Sequence, residues 1–142
     1  MEPEERQEVV ELLEFKENTA AGRMTTDYLA LQVGDTAHDA VEALRHFEGG
    51  IETVSTIYLT DSHGTLAGAV PLSKLVLASG NTPLLSLTQE PLIFTRPGAD
   101  EKEVAEIFDK YNLLTLPVVD EEHKLTGVIT SDDVISMLRA KL

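Results

Sequence analysis

The chain has 142 residues, 42% of them hydrophobic, with 25 acids against 11 bases, a formal net charge of −14 and no cysteine. That size suits one compact domain or two small intimate ones, and the composition excludes disulfides and thiolate metal sites and argues against nucleic-acid or anionic-membrane partners, whose phosphates call for Lys and Arg. No apolar run approaches the roughly 18 residues needed to span a bilayer, and Met1-Glu2-Pro3-Glu4-Glu5-Arg6 lacks the basic-then-apolar order of a signal peptide, so a cytoplasmic setting is expected.

The first expected element is a helix from Pro3 to Phe15, carrying Val9, Val10, Leu12, Leu13 and Phe15 among charged neighbours, with Pro3 near its start. One helix cannot bury its own apolar face, so it must dock on the rest of the chain or belong to a larger upstream domain. An extended stretch, Tyr28 to Leu31, follows. After Asp35-Thr36, the stripe Ala40, Val41, Leu44, Phe47 predicts an amphipathic helix, and a longer helix–strand loop is expected around Glu48 to Glu52. Residues 57–70 read as strand, polar turn, strand. Leu72 to Ala78 is a short helix stopped by Gly80, and Asn81-Thr82-Pro83 is a join too short to be a free linker.

The second half repeats this order. Leu92 to Thr95 is extended. Val104, Ile107, Phe108 and Tyr111 form an i, i+3, i+4, i+7 stripe, with Asp100 as N-cap and Glu103 three residues on. Residues 116–129 align with 57–70, matching Asp, Leu and Gly. Val134, Ile135 and Leu138 line a last helix with Ser131 as its N-cap. The fold class is therefore α/β: β-α-β-β-α twice, over 23–82 and 83–142, preceded by a helical segment, 1–22.

Gly127-Val128-Ile129-Thr130-Ser131-Asp132-Asp133 carries the most chemistry. It puts a hydroxyl and a carboxylate at a strand-to-helix turn. Helix N-termini attract anions, so Thr130 can bond a phosphate and Asp133 can accept from ribose hydroxyls. The same residues also make an ordinary helix cap. At the matching corner of the first copy stand Pro71 and Lys74, which retain neither group, so at most one such site is expected. Acidic excess has two readings, solubility or carboxylate binding of a hard divalent cation. His38, His46, His63 and His123 show no zinc spacing, and there is no P-loop or G-x-S-x-G motif, so no enzyme is expected.

With the repeat in view, the chain resembles a pair of CBS domains, in which two β-α-β-β-α units stack about a pseudo-twofold axis. Gly127 to Asp133 is similar to that family's G-h-x-T-x-x-D ligand signature. Thr19-Ala20-Ala21-Gly22-Arg23-Met24-Thr25 and Asp109 to Glu122, containing Tyr111-Asn112-Leu113-Leu114-Thr115-Leu116-Pro117, resemble the cytosolic region of MgtE-type magnesium transporters. The resemblance implies a regulatory module that senses ATP, AMP or another adenine nucleotide through Thr115, Leu116, Pro117, Thr130 and Asp133. It implies Mg2+ near Asp100, Asn112 and Asp133, with Asn112 standing where Asp is common and Lys102 where an acid is frequent. It also implies a homodimer and a transmembrane transporter domain as partners, this chain being the excised cytosolic part with no membrane insertion of its own. The alternatives are a stand-alone CBS-pair sensor of adenine nucleotides acting on a soluble partner, and a ligand-free dimerisation module.

Overall fold

The computed structural model describes residues 19–49 and 54–140, with side chains given as far as Ile135. The expected helix over 3–15 and loop residues 50–52 lie outside the described residues. The elements are α1 (Ala20–Arg23), β1 (Ala30–Gln32), α2 (Ala37–Arg45), β2 (Thr56–Thr60), β3 (Leu66–Pro71), α3 (Leu72–Leu77), a 3-10 turn (Leu84–Leu87), α4 (Glu101–Tyr111), β4 (Thr115–Val119), β5 (Leu125–Thr130) and α5 (Ser131–Ala140).

Each copy is a small sheet with helices against it. In the first, β1 pairs parallel with β2, and β2 antiparallel with β3. In the second, β4 and β5 pair antiparallel. The expected strand over 92–95 shrinks to a single parallel bridge, Thr95 to Val118. Its bonds run from Thr95 N to Pro117 O and from Val119 N to Thr95 O. Pro97, which has no N–H to give, follows two residues later and a turn closes from Ala99 N to Arg96 O.

Strand alternation separates two sets of side chains. Ile57, Leu59 and Val70 enter the first core with Ala37, Ala40, Leu75 and Leu84. Leu116, Val118 and Ile129 enter the second with Val104, Phe108 and Val134. A third cluster, around Tyr58, Leu66, Val119 and Val128, joins the copies. Two matched pairs of the repeat meet in it, Leu66 with Leu125 and Ala69 with Val128.

The hairpin turns meet at the pseudo-twofold axis. Leu66 N donates to His123 O at 3.0 Å, and Leu125 N to Gly64 O at 3.1 Å. Each turn is built on an aspartate. Asp61 Oδ1 accepts from His63 N and Thr65 N, and Asp120 Oδ1 accepts from Glu122 N and Lys124 N. Those backbone donors hold the Asp61 carboxyl below the usual carboxylate range. One turn residue per hairpin is left-handed: Gly64 at φ 84° and His123 at φ 66°. Glycine takes that conformation without strain, whereas the histidine ring packs edge-on against Phe94 at 4.6 Å.

The segments leading into each copy cross to the other. Thr25 bridges Val128 of β5, with bonds of 2.8 and 2.9 Å. Ala20 N donates to Ala99 O, and Arg23 pairs with Glu101 at 3.3 Å. In the reverse sense, Gln89 N donates to Ala69 O of β3 and Leu84 N to Asp35 O. The expected units 23–82 and 83–142 are thus continuous in sequence, but their contacts pass over both joins.

The caps decide the helix starts. Thr36 and Asp39 form a reciprocal capping box on α2, and Asp100 accepts from Glu103 N at 2.8 Å on α4. For α5 the expected Ser131 cap is corrected to Thr130. Asp133 N donates to Thr130 Oγ1, and Asp133 Oδ2 accepts from Thr130 N. Ser131 is already helical, because β5 runs directly into the helix.

Candidate functional site

Residues from both copies enclose a cleft of about 550 Å³, within the range of small-molecule sites. Its floor is the outward set of strand residues: Thr56 and Tyr58 from β2, Thr115 and Pro117 from β4. Thr115 and Thr56 are equivalent in the repeat, as are Pro117 and Tyr58. Tyr58 and Thr115 hydroxyls meet across the axis at 2.6 Å. Burial pushes the Tyr58 phenol up to about 12, against the opposing pull of that hydrogen bond. The ring stays neutral and packs edge-on to Tyr28 at 6.5 Å.

The walls come from the start of α3, the segment from Gln89 to Ile93, and the end of α4 with Tyr111, Asn112, Leu113 and Leu114. Ser55 also faces the cleft, and its hydroxyl is buried without a hydrogen-bond partner among the described residues. Among the described residues lining the cleft, no lysine or arginine appears, and Glu90 is the carboxylate. The cleft therefore offers hydroxyl, amide and apolar surface, with net negative charge at its rim.

The expected nucleotide residues converge only in part: Thr115 and Thr130 line one small hollow. Thr115 and Pro117 line the large cleft. Leu116 is 0% exposed and belongs to the second core, since it alternates away from them. Thr130 lies with Thr25, Asp27 and Tyr28 around a hollow of about 20 Å³ that shares Ser55, Thr56, Tyr58 and Thr115 with the large cleft. Asp133 lines neither space, and its Oδ2 accepts from Thr130 Oγ1 at 3.0 Å. The large cleft opens instead beside Pro71, Leu72 and Ser73, the corner of the first copy. Sequence reasoning missed Ser55, Thr56, Tyr58, Ser73, Gln89 and Glu90. The repeat held a signal for two of them: nominating Thr115 and Pro117 implied their equivalents Thr56 and Tyr58.

Two of the expected metal residues are also apart. Asp100 caps the start of α4 and Asn112 its end. At about 1.5 Å rise per residue, that helix separates them by roughly 18 Å, so one ion cannot take both. Asn112 is left-handed at φ 52°, and its N–H donates to Phe108 O, a conformation asparagine tolerates at a helix C-terminus. Among the described residues no three His, Cys, Asp or Glu side chains cluster as a metal cage.

The family model for the CBS domain matches residues 86–140. The magnesium transporter MgtE of Thermus thermophilus is 35% identical over 99% of this chain. The crystal structure of the cytosolic domain of the Mg2+ channel MgtE in complex with ATP is 34% identical over 96% of this chain and 55% of that chain, with a TM-score of 0.83. The chain is a tandem CBS-domain pair resembling the cytosolic region of MgtE-type magnesium transporters. An MgtE from Enterococcus faecalis is 30% identical over 95% of this CBS pair. The CBS pair spans about a third of the length of these curated relatives, 31% and 30%. No helix among its described residues is long and apolar enough to cross a membrane.

Proposed function

We propose that this CBS pair is the regulatory, non-catalytic module of a magnesium transporter, placed on the cytosolic side and joined to a transmembrane domain. The observation that carries the reading is likeness over 99% of the chain to a magnesium transporter, with the two-copy fold preserved at a TM-score of 0.83 to a cytosolic MgtE domain. The mechanism is a population shift. A ligand that prefers one arrangement of the paired copies moves the equilibrium toward it by its differential affinity.

Two inputs fit this chain. Mg2+ binds through one or two carboxylates and retained waters, and when bound it would offset repulsion in a chain carrying −14. Asp100, Asn112 and Asp133 stay the candidates near which it would act, the first two at opposite ends of α4. The second input is an adenine-bearing ligand in the cleft between the copies. This rests on the ATP complex of the related MgtE domain and on a cleft of suitable size at the junction. The test is a chimera in which this chain replaces the corresponding region of the Thermus MgtE. Mg2+ uptake into vesicles should stay repressed at high internal Mg2+. A chimera that transports equally at all internal Mg2+ levels would overturn the reading.

Exposed apolar side chains on the helices support a homodimer. Val76 and Leu77 on α3 are 80% and 88% exposed, and Ile135 on α5 is 47% exposed. We expect the Val76→Glu, Leu77→Glu double variant to sediment as a monomer with unchanged circular dichroism. Sedimentation of the wild type as a monomer at the same concentration would count against the dimer.

A further inference from the structure

The lining of the cleft between the copies is mostly uncharged. Ligand selection at its floor is polar but uncharged: Thr56, Thr115 and the unpartnered Ser55 hydroxyl, with the Gln89 amide on the wall. These groups match the donors and acceptors of a purine and a ribose. Leu92, Ile93 and Leu113 give apolar surface for a flat base.

A phosphate finds hydrogen-bond donors there but no cation. No lysine or arginine is among the described residues lining the cleft, and Glu90 is. A buried anion without a paired cation is strongly disfavoured. The corner that would hold a phosphate is also spent. Pro71, at the N-cap of α3, has no N–H and makes no side-chain cap, and Leu72 N donates to Ser55 O at 3.1 Å. Lys74 is exposed and does not line the cleft. The chain's overall charge of −14 adds a long-range field against any polyanion.

We infer that this cleft selects an uncharged purine nucleoside, such as adenosine, over its mono-, di- and triphosphates. The inference rests on the reading of the cleft as an adenine site and narrows it: the module would report a dephosphorylated purine pool rather than ATP. The same hydroxyls and amide can donate to a phosphate, but none of them carries the cation that would offset its charge.

The experiment is isothermal titration of the chain with adenosine, AMP and ATP, each without Mg2+ so that charge is not masked. Adenosine should bind, and AMP should bind at least about tenfold more weakly, from desolvation of an unpaired phosphate. Ser73→Arg should narrow that gap by strengthening AMP, because Ser73 is exposed, lines the cleft and can carry a cation without disturbing the core. Ser73→Trp should fill the mouth and abolish adenosine binding, and Asp133→Ala probes the opposite corner. AMP or ATP binding as tightly as adenosine overturns the nucleoside preference but leaves an adenine site standing. No binding of any of the three overturns both. Adenosine binding that survives Ser73→Trp and is lost in Asp133→Ala assigns the ligand to the other corner and overturns the inference.

Discussion

Leu116→Ala should lower stability by about 2–5 kcal/mol, the range for truncating a fully buried leucine in a core that cannot collapse around the gap. Leu116 is 0% exposed, and it packs with Val104, Phe108, Val118 and Ile129. Its strand is pinned on both sides, by β5 and by the Thr95 bridge, so the backbone has little room to move in. Thermal unfolding should show the midpoint falling by roughly 10 °C, given the usual entropy of unfolding for a chain of this size. The same substitution separates core from cleft. A ligand-facing leucine would give a nearly silent stability change of about 0.5 kcal/mol or less, with weakened binding. That outcome would place Leu116 in the site and contradict the strand alternation observed.

The second large effect is expected at Gly68. A Cβ there would sit 2.6 Å from Thr88 Cγ2, closer than carbon atoms tolerate. Thr88 belongs to the segment that crosses from the second copy's lead-in onto β3, and its hydroxyl donates to Leu85 O. A β-branched side chain has few rotamers to retreat into. Gly68→Ala should therefore destabilise by about 1–3 kcal/mol, as overpacking does. Thr88→Ser removes the offending methyl and keeps the hydroxyl. The double variant should recover most of the loss, giving a coupling energy above about 0.5 kcal/mol in a denaturant cycle. Additive losses would mean that the crossing segment does not lie on Gly68. The repeat supplies a control. At Gly127, the equivalent position, a Cβ would meet Met24 Sδ at 2.6 Å. Methionine is unbranched and can move its sulfur aside, so Gly127→Ala should cost less than Gly68→Ala.

Much of the architecture was legible because local rules pointed the same way. The stripe over Val104 to Tyr111 and the Asp100 cap agree with α4, and the matched strand–turn–strand segments agree with β2–β3 and β4–β5. The misreadings were at edges. Ser131 reads as a cap from its residue type, yet the cap goes to whichever hydroxyl sits last in the strand, and β5 runs one residue further than its pattern showed. Leu92 to Thr95 has strand-like residues, but a parallel edge needs a partner along its whole length, and only Thr95 finds one.

The site was less legible. Thr130 and Asp133 follow a ligand signature, but in the fold they bond each other beside a hollow of about 20 Å³. The volume lies at the other corner, whose sequence had lost the signature chemistry. Periodicity and the internal repeat by themselves determined two copies of one unit, their hairpins and the absence of catalytic motifs, since these depend on neighbours in the chain. Which corner stays open, which threonine faces Tyr58, and which segment covers each glycine were decided only by tertiary structure. Those outcomes depend on how two nearly equivalent copies share one interface, and the side chains that fill or vacate each corner come from distant parts of the chain.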